Sequence, residues 1–87
     1  KFKISDFYFL INKLSNQKIN NKKIIKYFYH KNKRWDLYFD NNVLIKLPSK
    51  NIDNALNIYK QFMTENIINP NTTIDLRIQN RIVLKYE

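Results

Sequence analysis

Apolar residues recur along the chain with two different periods, and each change of period marks an element. Near the start, Ile4, Phe7, Tyr8, Ile11 and Leu14 follow helical spacing, which predicts a first helix with Ser5 or Asp6 as N-cap. Asn16 to Asn21 is polar and reads as a loop. From Lys22 to His30 the period drops to two, placing Ile25, Tyr27 and Tyr29 on one strand face and Lys26, Phe28 and His30 on the other. Trp35, Leu37 and Phe39 then alternate with Arg34, Asp36, Tyr38 and Asp40. Beyond a turn at Asp40-Asn41-Asn42, the residues Val43, Ile45 and Leu47 continue the apolar face. Asparagine tolerates positive φ better than other non-glycine residues, so a type I′ turn at Asn41-Asn42 is expected.

Pro48 stops that strand, and Ser49 or Asn51 can cap a second helix. Its stripe is Ile52, Ala55, Leu56, Tyr59, Phe62 and Met63, wide enough to cover a sheet face. After Asn69-Pro70-Asn71, the residues Ile74, Leu76 and Ile78 alternate with Thr73, Asp75 and Arg77. After Gln79-Asn80, a last strand alternates Ile82, Leu84 and Tyr86 with Arg81, Val83 and Lys85.

The order α-β-β-β-α-β-β predicts an α+β fold, a mixed or antiparallel sheet of about five strands with two packed helices. A meander from Lys22 to Leu47, a helix from about Asn51 to Asn66 and two strands within Thr72 to Tyr86 make up the whole. The expected core is Trp35, Leu37, Phe39, Val43, Ile45, Leu56, Tyr59, Phe62, Leu76 and Ile82. No repeat or linker divides residues 1–87, and a domain of this length buries only a modest core.

Composition narrows the function. With 44% apolar residues the chain is too hydrophobic for a disordered segment. It has no cysteine, so disulfides and thiolate chemistry are excluded. The longest apolar run, Phe7 to Ile11, is too short to span a bilayer. A chain that starts at Lys1 is expected to be a piece of something longer, with any membrane anchor upstream.

The net charge of +9 is concentrated early: Lys18 to Trp35 holds seven basic residues and no acid. Abundant Lys, Asn and Ile with zero glycine is the mark of AT-rich coding, and it favours a merely solvated basic face. The competing reading is a small nucleic-acid-binding module, with Lys22, Lys23, Lys26, Lys31, Lys33, Arg34 and exposed aromatics as a stacking and phosphate surface. Anionic lipid headgroups are a third possibility.

Catalysis finds little to work with. His30 is the only histidine, expected on the exposed side of its strand, so no metal cluster or nucleophile–base pair can form around it alone. Asp36 and Asp40, beside Arg34 and a turn, read as a salt-bridge partner and a turn former. Zero glycine removes every glycine-rich phosphate loop. No enzyme activity, metal or cofactor is expected.

The ordered motifs resemble the bacterial cell-division family FtsQ/DivIB. The residues that carry the resemblance are Arg34, Trp35, Leu37, Phe39, Asp40, Asn41, Leu47 and Pro48, then Ala55 and Leu56, then Asp75, Leu76 and Arg77, with Tyr86 near the end. It covers the chain from about Phe7 onward. Asn42 replaces the turn glycine, and Ile78 and Arg81 stand where some members have an aromatic residue and a glycine. The resemblance implies the C-terminal portion of a periplasmic β domain, in a bitopic inner-membrane protein whose POTRA and transmembrane segments lie outside this piece. It also implies a non-catalytic divisome scaffold that recruits an FtsB–FtsL type pair and, through it, the septal peptidoglycan synthases.

A chain that finishes on a strand tends to leave it at a sheet edge, whose unpaired N–H and C=O groups are either protected or used. Between Asn80 and Tyr86 only Arg81 and Lys85 carry charge, and no proline intervenes. The expected partner-binding residues are therefore Arg77, Ile78, Asn80, Arg81, Ile82, Val83, Leu84, Lys85 and Tyr86. An added partner strand, of the FtsB kind by the resemblance, would pair with this edge, and Arg77 would meet an acidic partner residue; the alternative is an edge capped by strands of the β domain outside this piece.

Overall fold

The computed structural model describes residues 3–86. Helix α1 (Ile4–Asn16) is followed by a short 3-10 turn at Asn21–Lys23 and three strands: β1 (Ile24–Tyr29), β2 (Trp35–Phe39) and β3 (Leu44–Lys46). Helix α2 (Ile52–Glu65) then leads to β4 (Thr72–Asp75) and β5 (Val83–Tyr86). The five strands lie in sequence order, antiparallel except for the parallel β3–β4 pair. That one parallel pair requires a crossover connection, and α2 supplies it. The predicted α+β architecture is what the chain adopts.

Side chains that share a register row explain the layering. Tyr27, Leu37, Ile45, Ile74 and Leu84 face each other across all five strands. Leu37, Ile45 and Ile74 are fully buried and share one core with Leu10 and Leu14 of α1 and with Ala55, Leu56 and Tyr59 of α2. The neighbouring row, Phe28, Asp36, Lys46, Asp75 and Val83, lies on the opposite face. Trp35 anchors one end of the core at 4% exposure, with the rings of Phe7, Tyr27 and Tyr29 at 4.7–6.4 Å. Of the expected core, Phe39, Phe62 and Ile82 are only half-buried, because they sit at the ends of elements.

Three local expectations are corrected. In α1 the buried stripe is Phe7, Leu10, Ile11 and Leu14, while Ile4 and Tyr8 are exposed. With phenylalanine, tyrosine, leucine and isoleucine in unbroken succession from Phe7 to Ile11, the period alone leaves the helix phase open. Lys3 is the N-cap, and Asp6 acts from the first turn, where its carboxylate accepts the Lys3 N–H at 3.0 Å.

In β1 the pairing slips between Ile24 and Lys26, a bulge that turns Ile24 into the core and leaves Ile25 70% exposed. Ile25 therefore does not share the face of Tyr27 and Tyr29.

The β2–β3 loop is not type I′. Phe39 N–H donates to Val43 O and Asn42 N–H to Phe39 O, with only Asn42 left-handed at φ 63. This is a three-residue loop ending in a left-handed residue. The β1–β2 loop repeats it, with His30 N–H on Arg34 O, Lys33 N–H on His30 O and Lys33 at φ 66. The chain has no glycine, and among the described residues four asparagines and two lysines occupy the left-handed positions.

Candidate partner-docking edge

The C-terminal hairpin is held from three sides. Leu76 N–H donates to Lys46 O at 2.9 Å, carrying the pairing with β3 one residue past β4. Arg81 N–H donates to Ile78 O at 3.1 Å and closes a turn in which Asn80 is left-handed at φ 60. The Asn54 amide of α2 donates to Asn80 Oδ1 at 2.9 Å and ties that turn to the helix.

Among the described residues β5 pairs with β4 alone, in the register Thr72 with Tyr86 through Asp75 with Val83, so it is an edge of the sheet that these residues form. Ile82, Val83 and Leu84 are half-buried, and Lys85 and Tyr86 are exposed. The predicted strand is shorter than its sequence pattern suggested. Arg81 lies in the turn and Ile82 just before the strand, so the edge itself spans Val83–Tyr86.

Arg77 is not a free cation. Its backbone N–H, Nε and Nη2 all bind the Asp75 carboxylate two residues earlier, at 2.7–3.1 Å. The hydrogen bonds from Arg77 hold the Asp75 carboxyl below its ordinary range, and the same bonds raise the Arg77 guanidinium. This clamp fixes the head of Arg77 at the mouth of a cavity of about 370 Å³. Lys50, Arg34 and Arg81 also line that cavity, together with Asn54, Asn80 and exposed Ile78, and no acidic residue does.

Arg34 reaches the cavity because β2 begins beside the ends of β3 and β4, where Arg34 Nη1 donates to Leu47 O at 3.3 Å. The sequence pattern assigned Arg34 and Arg77 to different surfaces. Only the parallel β3–β4 pairing, which aligns the residues after Lys46 and Asp75, could have brought them together in advance.

Two members of the basic stretch are withdrawn from its surface. Arg34 is 8% exposed and bound to Asp36, itself 5% exposed, and Trp35 belongs to the core. His30, expected to be free on the exposed side, also binds Asp36, through Nε2 at 2.8 Å. Lys22, Lys23, Lys26, Lys31 and Lys33 stay exposed, with the Lys26 amine over the rings of Phe28 and Tyr38. Among the described residues no cluster of His, Asp and Glu could hold a metal ion, and no helix is long and apolar enough to cross a membrane.

Residues 7–77, which run from α1 to the end of the Asp75–Arg77 clamp, match the family described as Cell division protein FtsQ/DivIB, C-terminal. The chain belongs to the FtsQ/DivIB C-terminal family. It is 31% identical over 55 residues to the cell division protein FtsQ of Rhizobium radiobacter, an alignment covering 61% of this chain and 26% of that protein. It is 31% identical over 55 residues to FtsQ of Agrobacterium fabrum (strain C58 / ATCC 33970), covering 61% of this chain and 17% of that protein. The aligned part thus amounts to about a quarter or less of these relatives. No solved structure matches. The FtsQ/DivIB match stops at Arg77, so the turn and β5 lie beyond it.

Proposed function

We propose that this FtsQ/DivIB domain is a non-catalytic docking module of the cell-division machinery, and that a partner strand adds to β5. The observation that carries the reading is the edge itself. Among the described residues β5 has one neighbour, its four residues include no proline, and Lys85 is the only charge along it. Strand addition would take affinity and register from backbone hydrogen bonds, and selectivity from Val83 on one face and Leu84 and exposed Tyr86 on the other.

The cationic cavity at the start of the hairpin supports a second element of recognition. With Arg77 held by Asp75 and Arg34 held by Asp36, their guanidinium groups are pre-positioned. Lys50 and Arg81, which line the same cavity and form no ion pair among the described residues, would give an acidic partner side chain uncompensated positive charge to meet, which favours encounter and register. The partners we propose are division proteins of the FtsB–FtsL type, met on the periplasmic side of the inner membrane.

A titration with a peptide from an FtsB-type protein tests this. Wild type is compared with Val83→Pro and with a chain ending at Asn80. Proline removes a backbone donor and bars close pairing, so both variants are expected to lose binding. Undiminished binding by both, with circular dichroism unchanged, removes β5 as the docking edge.

A further inference from the structure

A second cavity, of about 340 Å³, lies at the other end of the sheet, where β2 ends and α2 finishes. Its apolar lining is Ile19, Phe39, Val43, Tyr59 and Ile68, with Met63 alongside, 43% exposed. Lys18, Lys23 and Lys60 also line it, and none of their three side-chain amines forms an ion pair or hydrogen bond among the described residues. Asp40 is the one acid of the lining, and it forms no ion pair with any of them, so the lining keeps a net positive charge. Three unpaired cations around an apolar floor are an arrangement that a guest with both a tail and a negative head would satisfy. The volume falls at the lower end of small-molecule sites.

The walls argue against a peptide guest. Ile19 N–H is bound to Leu14 O, Asp40 N–H to Lys23 O, Phe39 N–H to Val43 O and Asn71 N–H to Asn41 O, at 2.9–3.3 Å. These backbone groups are already matched, so a peptide main chain would meet few free partners, while an acyl chain needs none. The same four bonds link the α1 end, the β1 entry and the hairpin loop to their neighbours, so the cavity is preformed.

We propose that this cavity binds a single-chain anionic amphiphile, with its acyl tail on the Ile19, Phe39, Val43, Tyr59 and Ile68 floor and its carboxylate or phosphate head among Lys18, Lys23 and Lys60. The site is independent of β5 and of strand addition.

The test is a titration of the ¹⁵N-labelled chain with laurate and, separately, with dodecyl phosphate, both below their micelle concentrations. Acetate and dodecanol serve as the tail-free and charge-free controls. Saturable shifts at Ile19, Lys23, Asp40 and Met63 are expected with one or both anionic amphiphiles. The two arms show which head the lysines prefer. Binding is expected to weaken at least tenfold in Lys23→Glu/Lys60→Glu, two substitutions outside the buried core, and to weaken also in Met63→Asp.

A response to dodecanol or to acetate equal to that of the stronger-binding anionic amphiphile overturns the proposal, as does no saturable response to either amphiphile. So do shifts centred on the exposed Ile4, Tyr8 and Phe9 of α1, or affinity that survives the double charge reversal in a folded variant.

Discussion

Asn42 and Asn71, 29 positions apart, are joined by a 2.7 Å hydrogen bond from the amide of Asn42 to the side-chain carbonyl of Asn71. Both have left-handed backbones, at φ 63 and 64. The bond ties the β2–β3 loop to the entry of β4, on the far side of the α2 crossover, and Asn71 N–H adds a second tie to Asn41 O. Asparagine thus does two jobs where a glycine could do only one: it accepts the left-handed conformation and it cross-links two loops.

Substitutions at the left-handed positions separate those jobs. Asn42→Ala is expected to lose about 1–2 kcal/mol, since alanine carries the full left-handed penalty and no amide. Asn42→Gly should cost less, because it relieves the backbone while giving up an exposed hydrogen bond. Lys33, at φ 66, has no such cross-link, so Lys33→Gly should leave stability level or raise it by about 0.5–1 kcal/mol. Urea unfolding of the three variants checks the ranking. An Asn42→Ala chain as stable as wild type would remove the backbone account.

Arg34 and Asp36 form a pair buried on the solvent side of the sheet, and His30 shares the same carboxylate. Removing one member of a buried pair leaves an unmatched charge, at about 3–5 kcal/mol. Asp36→Ala strands Arg34 and is expected to fall in that range. Arg34→Ala should cost less, because His30 remains to bind Asp36. The double variant should lose less than the sum of the two, as contacting residues do. Additive losses in a denaturation cycle would show that the pair is not coupled.

The large features of the fold were legible because they rest on period and punctuation. Pro48 ended a strand, Asn51 sits at the N-cap of α2, and Trp35, Leu37, Ile45 and Leu56 fell on the buried face. Phase was the weak point. Where apolar residues are adjacent, as in Phe7 to Ile11 or Ile24-Ile25, periodicity does not say which of them faces inward; packing and a bulge decide. That two strands follow α2 was readable from chain order. The Asp75–Arg77 clamp, the meeting of Arg34 with Arg77 and the lysine-rimmed cavity were not, since each depends on the lateral alignment of elements distant in sequence.

The bulge gives a direct contrast between neighbours. Ile24 is 8% exposed and Ile25 70% exposed. Truncating Ile24 to alanine removes packed core atoms and should cost about 2–5 kcal/mol. Ile25→Thr touches no core contact and is expected to stay within about 0.5 kcal/mol of wild type. Thermal midpoints of the two variants decide the strand phase, and a reversed order would restore the unbulged alternation.

Acid and alkali should act through different groups. Asp75 titrates below its ordinary value of 3.8, chiefly through the Arg77 hydrogen bonds. A carboxyl whose folded pKa is depressed binds fewer protons folded than unfolded, so its contribution is complete above pH 3.8 and is lost as pH falls through the folded value. Asp75 is half-buried and Arg77 exposed, which screens the pair and keeps the effect small. Tyr59 and Tyr27 titrate above 10, both because burial disfavours the phenolate. Raised values have the opposite sense: their contribution is intact below pH 10 and is lost as pH climbs through the folded values. Thermal midpoints measured from pH 2 to 11 should therefore drop at both ends. In Arg77→Ala, Asp75 loses its main partner, so the acid drop should become shallower while the alkaline drop is unchanged. In Tyr59→Phe, the alkaline drop should shrink and the acid drop persist. An acid limb identical in wild type and Arg77→Ala would remove the clamp as the source of acid sensitivity.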